Sequence, residues 1–553
     1  MSFLKKISIV IICSFCISIS SCSEANKKTK TVEVTKNLIT GTNYNDLVAL
    51  FKEFRTFKKP SMVNGVPDYT PDAIATQWGE LQEYQNHLKA FDVSGWPISE
   101  QIDYHLVRAE MNGMEFQHRV VKPWARDPSF YLQSQRGGGP TRFGVLEVDD
   151  MPIKAEDLND FKTKLRAVPE IFEQAKENLI EGAADFVTLA LRHLNEEVAI
   201  YTDLIPQLEQ HHPDLVEDVK NAERVVIDYG KWLKKNKSSM TAIAGVGKEN
   251  YNWLMKNVYL FPYSWDEIKT IVELEDNRVI TFQRLHENKN RNLPKLKPVQ
   301  SKTEYKKSVQ ESLDYIMKFL QDEEIFTVND YLTPEGYFYS WHPEFEKPWP
   351  EKHDYFFNFS LRESLMEETH EMVGHYFDFL TADRNPHQIR SGEAPYKIGI
   401  ARIEGFAFAL EELLMYAGYL DERSPRAKEI AYEQAAFRTV RALSDVYMHS
   451  QDWTLDDALK YCVANAPHGE LLDDSHHLWY EMATTLRGTG HHMLMVVGKV
   501  QFMKLFRDRA NQLGDEFNLK VFMDEFLNAG LIPFSLIRWE MTGYDDEMKK
   551  LLE

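Results

Sequence analysis

The sequence predicts a mainly α-helical protein with little β structure. Three observations carry that prediction. From about residue 41 onward, long segments repeat apolar residues at spacings of three and four, the period of a helix with one buried face. Helix-start chemistry recurs at the heads of those segments. Alternating apolar and polar runs, the mark of half-buried strands, are scarce.

The elements follow in chain order. Residues 1–21 read as an export signal: Lys5 and Lys6 give a positive start, residues 7–19 an apolar stretch too short to span a bilayer, and Ile19-Ser20-Ser21-Cys22 a small-residue end. That ending resembles a bacterial lipobox, which implies cleavage before Cys22 and lipidation of its thiol. An ordinary signal peptide cut nearby is the bland alternative. Residues 22–40 are polar and rich in Lys and Thr, and read as a tether. Residues 41–553 read as one large helical body, in one or two lobes, since no low-complexity linker or fixed-period repeat interrupts them. Helices are predicted over 76–90, 155–180, 182–209, 217–235, 265–288, 303–321, 399–418, 426–449, 491–513 and 519–529. Thr70-Pro71-Asp72 opens the first of these, and Ser264 with Glu267 forms a capping box before another. Residues 335–346 alternate roughly and are aromatic-rich, so they are the candidate β segment.

Composition excludes several functions. With 64 Lys and Arg against 85 Asp and Glu the net charge is −21, and loss of Lys5 and Lys6 with the signal takes it to −23. An acidic surface disfavours nucleic acid and electrostatic docking on anionic lipid, so membrane contact is expected through the anchor alone. Of four cysteines, Cys13 and Cys16 leave with the signal and Cys22 carries lipid, so Cys462 remains as a lone thiol and no disulfide framework exists. Arg136-Gly137-Gly138-Gly139-Pro140 lacks the Lys-Ser/Thr of a phosphate loop and reads as a turn, and no nucleophile elbow is present. The adjacent Asp473 and Asp474 cannot face each other across a glycosidic bond.

The chemistry concentrates at Glu367-Glu368-Thr369-His370-Glu371-Met372-Val373-Gly374-His375, within a helix predicted over about 361–380. Two histidines four apart on a helix bind zinc while the intervening Glu acts on the bound water. Here they are five apart, which leaves them about 140° apart on an ideal helix, against about 40° for a spacing of four. A one-residue π-bulge, with Gly374 as its natural place, would restore the shared face. Alternatively Glu371 and His375 would be the ligands, with Glu367 one turn below. We favour the bulge. Downstream, residues 399–416 are apolar on nearly every side around Glu404, and a carboxylate so placed must be paired, protonated or metal-bound. Glu404 is therefore the candidate third ligand, with a pair to Arg402 as the structural alternative. Asp378 and Glu411 are candidates to orient a ligand imidazole through its other nitrogen.

These residues, with Asp103–Arg108, Lys122–Phe130, Gly245–Tyr251, Glu404–Ala407, Gly490, Gly498-Lys499, Asp524 and Gly530–Pro533, resemble the bacterial family known as domain of unknown function 885, many of whose members are exported lipoproteins. The resemblance runs nearly end to end. It implies a neurolysin- or angiotensin-converting-enzyme-like helical body with a deep cleft and a Zn2+ site, with His370, His375 and Glu404 as ligands and Glu371 as general base. The family pattern usually reads His-Glu-x-x-Pro-Gly-His, and this chain lacks the Pro. A later Arg-Tyr pair and Tyr of the family fall on Thr484-Thr485 and Met495, so His491, or else His492, Arg487 or Tyr480, would have to assist the substrate carbonyl.

The expectation is thus a zinc-dependent hydrolase of the bacterial cell envelope, lipid-anchored at the outer membrane or cell surface or on its periplasmic side, acting most readily on peptides or another small polymer. The alternatives are a catalytically degenerate surface lipoprotein serving binding or uptake of peptides or polysaccharides, and a metal hydrolase acting on another bond.

Overall fold

The computed structural model describes residues 42–63, 66–132, 151–342, 345, 349, 353–390 and 395–553. Cys22, the export signal, the tether and the glycine loop at 136–140 lie outside them. Among the described residues the chain is helical almost throughout, and the one sheet is the two-stranded hairpin Met62–Val63 with Val66–Pro67.

Every helix expected from apolar period is present within a few residues of its expected ends: Pro71–Leu88, Leu158–Asn178, Ala184–His211, Val216–Asn236, Trp265–Lys289, Lys302–Asp322, Ile400–Tyr416, Ala427–His449, His491–Leu513 and Leu519–Asn528. The cap chemistry is as expected. Thr70 accepts from the Ala73 amide, and Ser264 and Glu267 satisfy each other's backbone amides.

Two expectations fail. The aromatic run at 335–346 holds a helix, Pro334–Trp341, rather than a strand. Thr333 precedes it, Pro334 supplies the preset first turn, and Tyr337 and Phe338 are buried while Tyr339 is 74 % exposed, a grouping no pleat produces. The helix expected over 361–380 is broken as well. Phe357–Arg362 ends at an extended Glu363, and a new run begins at Leu365.

The largest apolar core gathers the N-terminal helices, Ile400–Tyr416 and the C-terminal helices. A second core lies between Leu158–Asn178, Ala184–His211 and Val216–Asn236. Glycines let the central helices touch at their backbones. A Cβ on Gly405 would stand 2.6 Å from Gly498 Cα, and one on Gly374 would stand 2.4 Å from Ala407 Cβ. These contacts lock Ile400–Tyr416 between His491–Leu513 on one side and the histidine segment on the other.

Candidate metal centre

After Leu365–Glu368 the backbone winds as a π-helix over Thr369–Phe377 before resuming as α-helix at Asp378. Bonding from i to i+5 puts residues five apart on one face, so the off-spaced histidines meet. Their ring centroids are 4.7 Å apart and perpendicular. The π segment surrounds Gly374, whose missing side chain makes room for Ala407.

His370 Nε2 and His375 Nε2 lie 3.7 and 3.8 Å from Glu404 Oε2. One donor atom from each of the three residues falls within 4.8 Å of the others. Ligands held at zinc distances in a tetrahedron stand about 3.4 Å apart, so the donor set is close to that spacing. The fit has a second support. Both ring nitrogens of His375 are buried with no hydrogen-bond partner, which a structural imidazole rarely tolerates. Electrostatics agree. Burial pushes Glu404 up, but His375, His370 and His491 outweigh it and hold the carboxyl well below its usual range. Burial and Arg438 push His370 down, but Glu404 and Glu411 outweigh them and raise it to about 10. The site holds a positive charge strongly, whether a proton or a metal cation supplies it.

The surroundings sort the remaining candidates. His370 Nδ1 meets Glu411 Oε1 at 2.8 Å, and Arg438 grips the same carboxylate at 2.8 and 3.0 Å. Asp378 has a different partner. It binds Arg402 with both oxygens, at 2.6 and 2.9 Å, and so orients no imidazole. Once the π turn ends, Asp378 faces Arg402 on the neighbouring helix, which also removes Arg402 as the alternative partner for Glu404. Glu371 is half-buried on the π segment beside Glu367, whose carboxyl is pushed up to about 8 by burial and by Glu371 and which accepts from Gln434 Nε2. Glu367 stands apart from the three converging donors.

His491 begins helix His491–Leu513, buried, with Nδ1 unpartnered. Burial, then Lys397, then His492 hold its imidazole neutral, opposed by Glu404. His492 is tied to Glu481 and Thr485, each at 2.6 Å. Met495 and Tyr480 are buried, Arg487 ion-pairs with Asp127, and Asp473 and Asp474 lie at the surface. The His370, His375 and Glu404 side chains are 5, 2 and 2 % exposed. All three donors are therefore buried among the described residues. Arg438 and Asp445 were not anticipated. Asp445 accepts from the Gly490 and His492 amides and so fixes the start of the His491 helix. A second metal-like cluster, Glu287, Glu433 and His468, is closed by ion pairs to Arg284 and Arg362.

Residues 60–280 and 335–541 match the family described as "Bacterial protein of unknown function (DUF885)". The chain belongs to this family. DUF885 thus covers the histidine segment, Glu404, Glu411 and His491. Solved structures agree in fold. One is a provisionally named lipoprotein of unknown function from Shewanella oneidensis, at TM-score 0.69 and 16 % identity, covering 91 % of this chain and 100 % of its own. Another, from Colwellia psychrerythraea and likewise provisionally named a lipoprotein, has TM-score 0.64 at 14 % identity over 90 % and 98 % of the two chains. No curated protein matches the sequence.

Proposed function

We propose that this DUF885 protein is a zinc-dependent hydrolase, acting on peptides and tethered to the bacterial cell envelope through lipid on Cys22. The observation that carries the proposal is the convergence of His370 Nε2, His375 Nε2 and Glu404 Oε2 on one buried point. Those three residues would hold the ion, with Glu411 fixing the His370 ring. Zinc, when bound, supplies a Lewis acid that lowers the pKa of its water toward about 7 and polarises the substrate carbonyl. Glu371, on the same π segment and half-exposed, takes the proton of the attacking water and passes it to the leaving amine. Neutral His491 offers an N–H to the carbonyl oxygen as negative charge develops there. The neurolysin-like reading of the helical body belongs to this proposal. Anchoring rests on the Ile19–Cys22 ending and on the lipoprotein names of the two structural neighbours.

The test is Glu371→Gln in purified full-length protein. It is expected to keep stoichiometric metal and to lose peptide hydrolysis by about 10²- to 10⁴-fold. Unchanged hydrolysis, or wild-type protein without metal, rejects the proposal. Burial of all three ligands, with Met495 where the family has a tyrosine, favours one second reading: a binding or accessory lipoprotein that uses the fold without turnover. Ligand binding insensitive to chelators would select it.

A further inference from the structure

Arg487 ends helix His476–Arg487, four residues before His491. Its Nε donates to Asp127 Oδ2 at 2.7 Å, and the side chain is 8 % exposed. Nη1 and Nη2 are both buried and meet no acceptor, and no other arginine among the described residues leaves both terminal nitrogens so. A guanidinium is all donor, so burying its fork unmet is costly, and such a group calls for an explanation.

Arg126, held by the carbonyls of Val120 and Ile243, bears on Asp127 as well as on Glu181, so Arg487 shares its one carboxylate partner with a second guanidinium. His193, on helix Ala184–His211, is buried with Nδ1 unpartnered. Burial, then Arg487, pushes its imidazole down to about 3, so it is neutral and can donate without adding charge. Lys397 approaches the same helix end. A Cβ on Gly488 would stand 2.2 Å from Lys397 Nζ, so that ammonium packs on the residue next to Arg487. The charge of Lys397 reaches His491, and that of His491 reaches Glu404.

We infer that Arg487, with His193 beside it, forms a carboxylate-binding subsite whose Nη1–Nη2 fork grips a carboxylate of the peptide held at the metal centre. The fork matches the two oxygens of a carboxylate, each bond being charge-assisted. The identity of the ligand as a peptide rests on the function proposed above. The carboxylate can be the C-terminus of the peptide or an Asp or Glu side chain within it.

Calorimetry on the full chain carrying Glu371→Gln tests this with three probes: acetyl-tetraalanine as the free acid, acetyl-tetraalanine amide, and acetyl-Ala-Ala-Glu-Ala amide. One of the two acidic peptides is expected to bind about 10- to 100-fold tighter than the neutral amide, and which one does so identifies the source. Arg487→Met should erase the difference. Arg487→Lys keeps a charge for Asp127 without the fork and should lose at least about tenfold, so it carries the test where Arg487→Met fails to fold. Equal binding of the three probes, no binding of any, or a preference that survives either substitution overturns the subsite. If zinc-loaded wild-type protein hydrolyses no peptide while the carboxylate preference stands, the proposed function falls and the subsite remains.

Discussion

Glu411 meets the Nδ1 edge of His370 at 2.8 Å, so the imidazole is held by the edge that faces away from Glu404. A carboxylate can only accept, so Nδ1 carries a hydrogen, and a metal cation would displace the proton that Glu404 and Glu411 otherwise hold on the ring and take the Nε2 lone pair. Glu411→Gln should therefore weaken zinc binding by about 10- to 100-fold, read by competition with a chromophoric chelator. Because Arg438 loses its partner in that variant, Glu411→Gln with Arg438→Met is the control for simple destabilisation. Unaltered affinity would remove Glu411 from the site.

Gly374→Ala should destabilise the protein by about 1–3 kcal/mol, because the new methyl meets Ala407 across a backbone-close contact. The denaturation midpoint measures this. The paired change Gly374→Ala with Ala407→Gly, which clears the Cβ it would meet, should recover part of the loss.

Acid should weaken the metal-free fold through three buried histidines away from the proposed metal ligands. Burial pushes His105 and His193 down to about 3 and His449 down to about 4. Their folded pKa values lie below the unfolded value near 6.5, so their contribution is present in full above about pH 6.5 and is lost as pH falls toward those values. Each should cost about 2 kcal/mol by pH 5. Urea midpoints at pH 7.5, 6.5 and 5.0, with chelator present, measure the slope. His449→Gln, which can still donate to the Thr485 carbonyl, should flatten it.

Lys499 is 1 % exposed and bonds Glu275 and Glu412, which also share Arg278. Lys499→Met should cost about 3–5 kcal/mol, because it leaves Arg278 alone to answer two buried carboxylates. Adding Glu412→Leu should restore part of that. Chemical denaturation of the single and double variants reads both, and an undiminished midpoint in Lys499→Met would contradict the arrangement.

The helical body was legible because amphipathic helices such as Trp265–Lys289 write their buried face into the order of residues. Ile98–Phe116 was less so, since Asp103, His105 and Glu110 sit on its buried face and blur the period. The strand expected at 335–346 misled for the opposite reason: short aromatic runs suit either period. At the site, the spacing of His370 and His375 exposed the need for a bulge, and the apolar setting of Glu404 marked a buried carboxylate. Which base would pair with which acid was not legible. Asp378 took Arg402 and Glu411 took Arg438, and those choices depend on helices brought together from distant parts of the chain.

Helix Ala427–His449 buries all but Lys428 and Tyr447, yet it is studded with charge. Arg438 is answered by Glu411, Arg441 by Glu481, Glu433 by Arg362, Thr439 by Asp276, and Asp445 by amides at the head of the last long helix. Phe437, Val440 and Leu443 find apolar neighbours, but the charges of this segment surrender their hydration only against those polar partners. It can settle only when sequence from before and after it has arrived. A chain halted short of residue 490 would therefore hold every proposed metal ligand and still lack the closing turn that seats this helix. Assembly of the proposed metal centre and completion of the fold then become one event, at the far end of the polypeptide.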